Sequence, residues 1–292
     1  MRHIAVIALV VIALGCAAPA PPPEPAADET TAVGPGTVIA DDGVEIAYTV
    51  TGAGTPAIVL VHGWMCDQTY WLNQVDDLAR DHLVVTVDLP GHGLSGTDRA
   101  EWTVAGFGSD VATVVDQLGL DDVILVGHSM GGPVSLEAAR LMPGLTRGVI
   151  GVDTFQDVES EWDPEQQQAM LDAMDADFVG FCTTFVTAMF PEGADPDLVT
   201  AISNDMCNGP AEIGSALMHN VADYDIAQAM QSAGVPIRAV NSTLWPTAPE
   251  INRKYADFDA VMMENVGHFL MQEAPEEFNR HLRAVIAELE TE

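Results

Sequence analysis

Positive charge is what this chain has least of. Lys and Arg total 10 against 44 Asp and Glu, a formal net charge of −34, and Lys254 is the single lysine. Such a surface repels polyanions, which excludes DNA and RNA as partners and disfavours electrostatic docking to an anionic bilayer. Solubility is the plain reading of the acidity. Only four cysteines occur, with no C-x-x-C pair and no His/Cys spacing of the zinc-site kind, so no metal is expected, and no other cofactor is implied. No stretch reaches 18 consecutive apolar residues, so no membrane-spanning helix is expected. No internal repeat is visible. Against these absences stand 292 residues that are 48% hydrophobic, enough to bury the core of one large domain.

The first segment reads as an address. Arg2 precedes an apolar run from Ile4 to Leu14. As a helix that run would rise only about 16 Å against roughly 30 Å of hydrocarbon, which suits a signal-peptide core and not a span. It ends in Ala13-Leu14-Gly15-Cys16. Small residues before a cysteine resemble the bacterial lipobox, which implies lipidation at Cys16 and a leader over 1–16. Ala13 departs from that pattern, which prefers Leu there. Ordinary secretion with cleavage after Ala18 or Ala20 is the alternative. The Pro/Ala-rich run that opens at Ala17 cannot bury a core, and 17–36 is expected to be an extended tether. An exported protein permits disulfides. Cys66, Cys182 and Cys207 remain, and Cys182–Cys207 is the expected pair.

Beyond residue 37 the pattern changes. VEIAYTV over 44–50 alternates as a half-buried strand does. AIVLV (57–61), LVVTV (83–87), VILV (123–126) and GVIGV (148–152) are short and wholly apolar apart from Thr86, as parallel strands covered on both faces require. Helical stretches at 71–80, 104–118 and 131–142 separate them. Further strands are expected at 237–240 and 260–263, and a last helix at 275–289. Alternating strand and helix means an α/β fold with a mostly parallel sheet. Residues 157–232 break the rhythm and read as helices at 164–174, 177–189, 197–205 and 211–220. The expected organisation is a core over 37–156 and 233–292 with a helical cap over 157–232 inserted between two core strands.

The strongest local signal is Gly127-His128-Ser129-Met130-Gly131, a G-x-S-x-G between an expected strand and an expected helix. The glycines permit a tight turn that lifts the Ser129 hydroxyl above the sheet. Three more segments complete the pattern. His62-Gly63-Trp64 follows the strand AIVLV, Asp88-Leu89-Pro90-Gly91-His92-Gly93-Leu94-Ser95 follows the next strand, and Gly267-His268-Phe269-Leu270 precedes a Pro-Glu-Glu-Phe helix. From about residue 37 onward the chain thus resembles the α/β-hydrolase superfamily in its cap-bearing bacterial branch. The resemblance implies Ser129 as nucleophile, His268 as its base and the backbone N–H groups of Trp64 and Met130 as oxyanion donors. His62, His92 and His128 belong to turn motifs and read as structural. His219 and His281 sit on expected helices.

The acid departs from the family pattern. Most relatives carry an aspartate after the strand that follows the cap, in a stretch like G-x-x-D-x-x-x-P. Here that stretch is Val240-Asn241-Ser242-Thr243-Leu244-Trp245-Pro246, and Trp245 occupies the acid position or its neighbour. Glu250 lies several residues too far along. Haloalkane dehalogenases place the acid at the end of the strand before the cap, which here ends Gly151-Val152-Asp153. Asp153 is therefore the expected third member and Asp157 the second choice. Ser129 argues against the aspartate-nucleophile chemistries of the fold. The expectation is a surface-anchored serine hydrolase acting on small or medium apolar esters, a carboxylesterase. Lactone hydrolysis, C–C hydrolysis and perhydrolysis are the alternatives within the fold. A non-catalytic binding protein on this scaffold is the alternative outside catalysis.

Overall fold

A computed structural model describes residues 33–160 and 163–291. The expected leader, its Cys16 and most of the tether lie outside the described residues, as does Trp162. Among the described residues no helix is long and apolar enough to cross a membrane.

The apolar runs form the centre of one sheet. Every residue of β3 (Ala57–Val61), β4 (Leu83–Val87) and β5 (Val123–His128) is buried. β1 (Gly34–Ile39) and β2 (Glu45–Gly52) precede them, and β6 (Thr146–Val152), β7 (Ile237–Ser242) and β8 (Phe258–Met263) follow. The eight strands lie in the order β1-β2-β4-β3-β5-β6-β7-β8. The β1–β2 and β2–β4 pairs are antiparallel and all others parallel. This corrects one boundary of the sequence reading. Residues 34–36, read as tether, open β1, where Pro35 faces Thr49. An edge strand tolerates a proline that has no N–H to donate.

Helices flank the sheet. A 3-10 turn (Gln68–Trp71) leads into α1 (Leu72–Leu78), where a single helix was expected, and α2 (Val104–Gln117) and α3 (Gly131–Leu141) follow. α3 packs on β5 and β6. Between β6 and β7 the chain forms α4 (Pro164–Ala176), α5 (Phe178–Thr187), α6 (Pro196–Cys207), α7 (Ala211–Ala222) and α8 (Ile226–Ala233). The last of these was not read from the sequence. Asp163, Asp177, Asp195 and Asp225 start four of the five, each accepting a first-turn N–H on its side chain. Such caps satisfy donors that a helix leaves unmet. α9 (Pro249–Asn252) and α10 (Leu270–Glu273) are single turns, and α11 (Pro275–Thr291) closes the chain against β6 and β7.

The inserted helices are tied to one another and to the sheet domain. Cys182–Cys207 joins α5 to α6, the expected pairing, and Cys66 is left free and buried. The Trp64 indole N–H donates to the Gly214 carbonyl at 2.8 Å, and the Tyr70 hydroxyl donates to Asp205 at 2.8 Å. Asn220 accepts from the Val104 N–H at 2.9 Å, and the Tyr224 hydroxyl donates to Glu137 at 2.6 Å.

Candidate active site

Ser129 sits between β5 and α3 with φ of 52°, a left-handed backbone that non-glycine residues adopt at a cost of about 1–3 kcal/mol. Its N–H donates to the Val152 carbonyl at 3.0 Å, and its carbonyl accepts from the Gly132 N–H at 2.9 Å. The flanking glycines are required by space. A Cβ on Gly127 would overlap the Gly131 carbonyl, and one on Gly131 would overlap the Val61 carbonyl. The turn therefore closes only with glycine at both places, and it leaves Ser129 at the N-terminal end of α3, where the helix dipole is positive. Met130 stands at the N-cap of that helix.

His268 lies on the loop between β8 and α10 and is held on several sides. Its own N–H donates to the Met189 carbonyl at 2.9 Å, and its carbonyl accepts from His128 Nε2 at 2.9 Å. The His128 and His268 rings lie 4.6 Å apart. Glu273 accepts from the Gly267 and Phe269 N–H groups on either side, at 2.9 and 3.1 Å. Burial raises the Glu273 carboxyl above the usual range, against the pull of these two donors.

Asp153, the expected third member, stands at the end of β6. Asp153 Oδ2 accepts from His268 Nδ1 at 2.7 Å, and its Oδ1 accepts from the Ser242 N–H at 2.8 Å. Asp153 is only 2% exposed, so both oxygens of a buried carboxylate are satisfied. Its φ of 47° turns the side chain out of the β6 ladder while its own N–H still donates to the Val240 carbonyl at 3.0 Å. The stretch that carries the acid in most relatives serves other ends here. Asn241 brackets Thr154, accepting from its N–H and donating to its carbonyl. The Trp245 ring meets His268 edge-on at 5.6 Å. Asp157 instead accepts from the Glu159 N–H, and Glu250 lies in α9. The structure thus joins His268 to Asp153 and to neither rival.

The remaining buried histidines shape the loops. His62 donates from Nδ1 to the Gly63 carbonyl and accepts from the Leu89 N–H at Nε2, joining two of the loops named in the sequence. Burial holds its pKa down at about 4. His92 donates to the Pro90 carbonyl and accepts from the Met65 N–H, and burial, together with the His62 charge, lowers it to about 3. Burial and the neighbouring His268 lower His128 as well. All three are neutral at pH 7 and act as fixed struts.

Ser129 and His268 open into one cavity of about 610 Å³, with Trp64 and Met130 also in its lining. The inserted helices supply its roof, including Met170, Phe185, Met206 and Met218. Phe178 and Phe190 are buried in the core cluster instead. Cys66 also lines the cavity, its thiol pushed up by burial. No lysine or arginine lines the cavity among the described residues. No group of described residues has the makings of a metal site. Sequence reasoning missed the Glu273 clamp, the His128 bond to the His268 carbonyl and the Ser242 N–H. None has a motif of its own, and only Glu273, four residues beyond Phe269, stood near enough in sequence to be suspected.

Comparison with known proteins agrees with this geometry. A family model described as "Alpha/beta hydrolase family" matches residues 58–281. The "Dihydrolipoyllysine-residue acetyltransferase component of acetoin cleaving system" of Cupriavidus necator is 39% identical over 98 residues, 34% of this chain and 26% of that protein, so the match spans about a quarter of that relative's length. "Karrikin insensitive 2 receptor CA" of Petunia hybrida is 23% identical over 224 residues, 73% of this chain and 83% of the receptor. The solved structure of a thermophilic esterase from Thermogutta terrifontis has the same fold, with a TM-score of 0.73 at 24% identity, covering 87% of this chain and 97% of the esterase. The family match runs from β3 into α11 and so takes in the elbow, the His268 loop and Asp153; the chain belongs to the alpha/beta hydrolase family.

Proposed function

We propose that the chain is a serine hydrolase, a carboxylesterase for small or medium apolar esters, working through Ser129, His268 and Asp153. The observation that carries this reading is the 2.7 Å hydrogen bond from His268 to the buried Asp153, beside a cavity that Ser129 shares. In the proposed reaction Ser129 Oγ attacks the acyl carbon while His268 Nε2 takes its proton. Asp153 holds the ring with Nδ1 protonated and stabilises the imidazolium that forms. The negative charge on the carbonyl oxygen is met by the Trp64 and Met130 N–H groups. His268 then protonates the departing alcohol, and a water deprotonated by His268 releases the acid from the acyl-enzyme. The methionine-rich roof suits an apolar acyl group of variable shape.

Two tests bear on it. A fluorophosphonate is expected to label the protein once, on Ser129. Nitrophenyl esters from acetate to laurate are expected to turn over, with Ser129→Ala and His268→Ala silent. Lack of both label and turnover would sink the reading. It would favour a non-catalytic receptor, the second reading, for which the similarity to a protein named as a receptor is the support.

The reading also includes export and anchoring through a lipid on Cys16, on the strength of the leader-like run and the Pro/Ala-rich stretch behind it. Mass spectrometry of the mature N-terminus is expected to find a lipid-bearing Cys16. A mature chain starting at Pro19 or Pro21 would replace anchoring with simple secretion.

A further inference from the structure

We propose that two buried asparagines, Asn241 and Asn252, are positioning residues for the acid: their side chains hold the turn that carries Asp153, and through it the placement of His268. The inference rests on reading Ser129, His268 and Asp153 as the reacting groups.

β6 leaves the sheet just where the acid stands. Its pairing with β7 ends at Val152 and Val240, while β7 runs on beside β8 as far as Ser242. The departing chain then passes through two residues with left-handed backbone, Asp153 at φ 47° and Phe155 at φ 60°. Residues with a Cβ adopt that conformation at a cost, and it persists only where the surroundings hold it from several sides. Space is tight as well. A Cβ on Gly151 would come within 2.7 Å of the Phe155 ring, and one on Gly132, in the first turn of α3, within 2.5 Å of Thr154. The turn thus lies against the helix that follows Ser129, and a slip of the turn would move the acid relative to the nucleophile.

The two asparagines supply what the ended ladder no longer does. Asn241, fully buried in β7, accepts from the Thr154 N–H at 3.2 Å and donates to the Thr154 carbonyl at 2.9 Å. One amide side chain thereby offers both groups that a neighbouring strand would have offered. Its other N–H donates to the Thr247 hydroxyl at 3.0 Å, which fixes the orientation of the amide. Asn252, the last residue of α9 and also fully buried, donates to the Phe155 carbonyl at 2.6 Å and accepts from the Val158 N–H at 3.2 Å. Between these, the Ala248 N–H donates to the Gln156 carbonyl at 2.7 Å. Val158 lines the cavity, so the held segment runs from the acid to the substrate wall. An aspartate would offer no donor to either carbonyl, and a leucine would offer neither group. The stretch after β7, where most relatives carry the acid, has here become the part that holds the acid on β6, through Asn241 and the Ser242 N–H.

The test uses the full chain, 4-nitrophenyl acetate and Asn241→Leu, which keeps the size of the side chain and removes both hydrogen-bonding groups. Its kcat is expected to fall about 10²-fold with KM within about twofold of wild type, the scale of loss that a misplacement near 1 Å brings. Asn252→Leu, which frees the turn two residues farther from the acid, is expected to fall about tenfold in the same way. The deciding arm is a cycle with Asp153→Ala. A residue that acts by placing the acid has nothing to place once that side chain is gone. Asn241→Leu/Asp153→Ala is therefore expected to turn over within about threefold of Asp153→Ala alone, whereas a residue that only supports packing would multiply its loss. Should Asn241→Leu show no cooperative melting transition, Asn252→Leu goes through the same cycle. Losses that multiply in the double variant overturn the inference. So does a folded Asn241→Leu with kcat within about threefold of wild type, or a rise in KM with kcat unchanged. Each of these leaves the hydrolase reading standing. A near-normal rate in Asp153→Ala removes the reading of the acid, and the inference with it.

Discussion

The sheet and the inserted helices are built by different means. β3, β4 and β5 bury every residue, and the turns at their ends admit only particular residues because backbone meets backbone. In α4 only Leu171 and Met174 are buried, and in α5 only Phe178, Cys182 and Val186. What the insertion lacks in core it replaces with a disulfide, aspartate caps and hydrogen bonds to the sheet domain. The groups proposed to react stand on the rigid half, and the adaptable methionines that would face substrate stand on the other. Chemistry needs positions held within a fraction of an ångström, whereas a pocket roof gains from low local stability.

The contrast can be broken from either side. The largest effect is expected from Ser129→Ala, a loss of about 10⁶-fold in kcat with the melting temperature unchanged. If the elbow were only structural, stability would move and activity would not fall so far. Removing Cys182 and Cys207 together should cost about 3 kcal/mol, felt in the insertion first. Amide exchange is the measurement, with protection falling in α5 and α6 while β3 and β5 hold. A uniform loss would show that the two halves unfold as one.

Acid should strike the rigid half. His62 is neutral in the fold, held at about 4 against an ordinary value near 6.5. Below about 6.5 the unfolded chain binds a proton that the folded chain refuses, so stability rises with pH across this window and is lost as pH falls from 6.5 towards 4. His62 alone accounts for about 3 kcal/mol on this scale, and His128 and His92 act in the same direction. Urea midpoints between pH 8 and pH 4 check it, and a flat profile would contradict it. The smallest effect belongs to the seam between the halves. Tyr70→Phe removes the donor to Asp205 and should cost about 1 kcal/mol, read as a small drop in melting temperature.

The same contrast decided what could be read from sequence. Strands buried on both faces spell themselves as apolar runs, and the elbow needs glycines that only a few residue patterns supply. The turn at Ser129, the glycine-led loop of His268 and the mostly parallel character of the sheet were legible for that reason. β1 was not, because Gly34-Pro35-Gly36 looks like linker until a partner strand is present. α8 was not, although its apolar positions fall on one face, because that face is only eight residues long and two of its three buried residues, Ala229, Met230 and Ala233, are alanines. Asp153 was reached only by finding the usual place empty. Its warrant is tertiary, since the Ser242 N–H and the His268 ring that hold it come from 89 and 115 residues away. Asn241 and Trp245, which gave no signal beyond not being acids, prove to brace Thr154 and to flank the His268 ring.

The account turns on Asp153, and the direct measurement is kcat for nitrophenyl acetate in Asp153→Asn, beside Asp157→Asn and Glu250→Gln. With Asn at 153 the side chain can offer its amide where His268 Nδ1 needs an acceptor, and the wrong tautomer should cost about 10⁴-fold. The other two variants are expected to stay within a few-fold of wild type. A near-normal rate in Asp153→Asn, or a collapse in either of the others, would contradict the account and move the acid elsewhere.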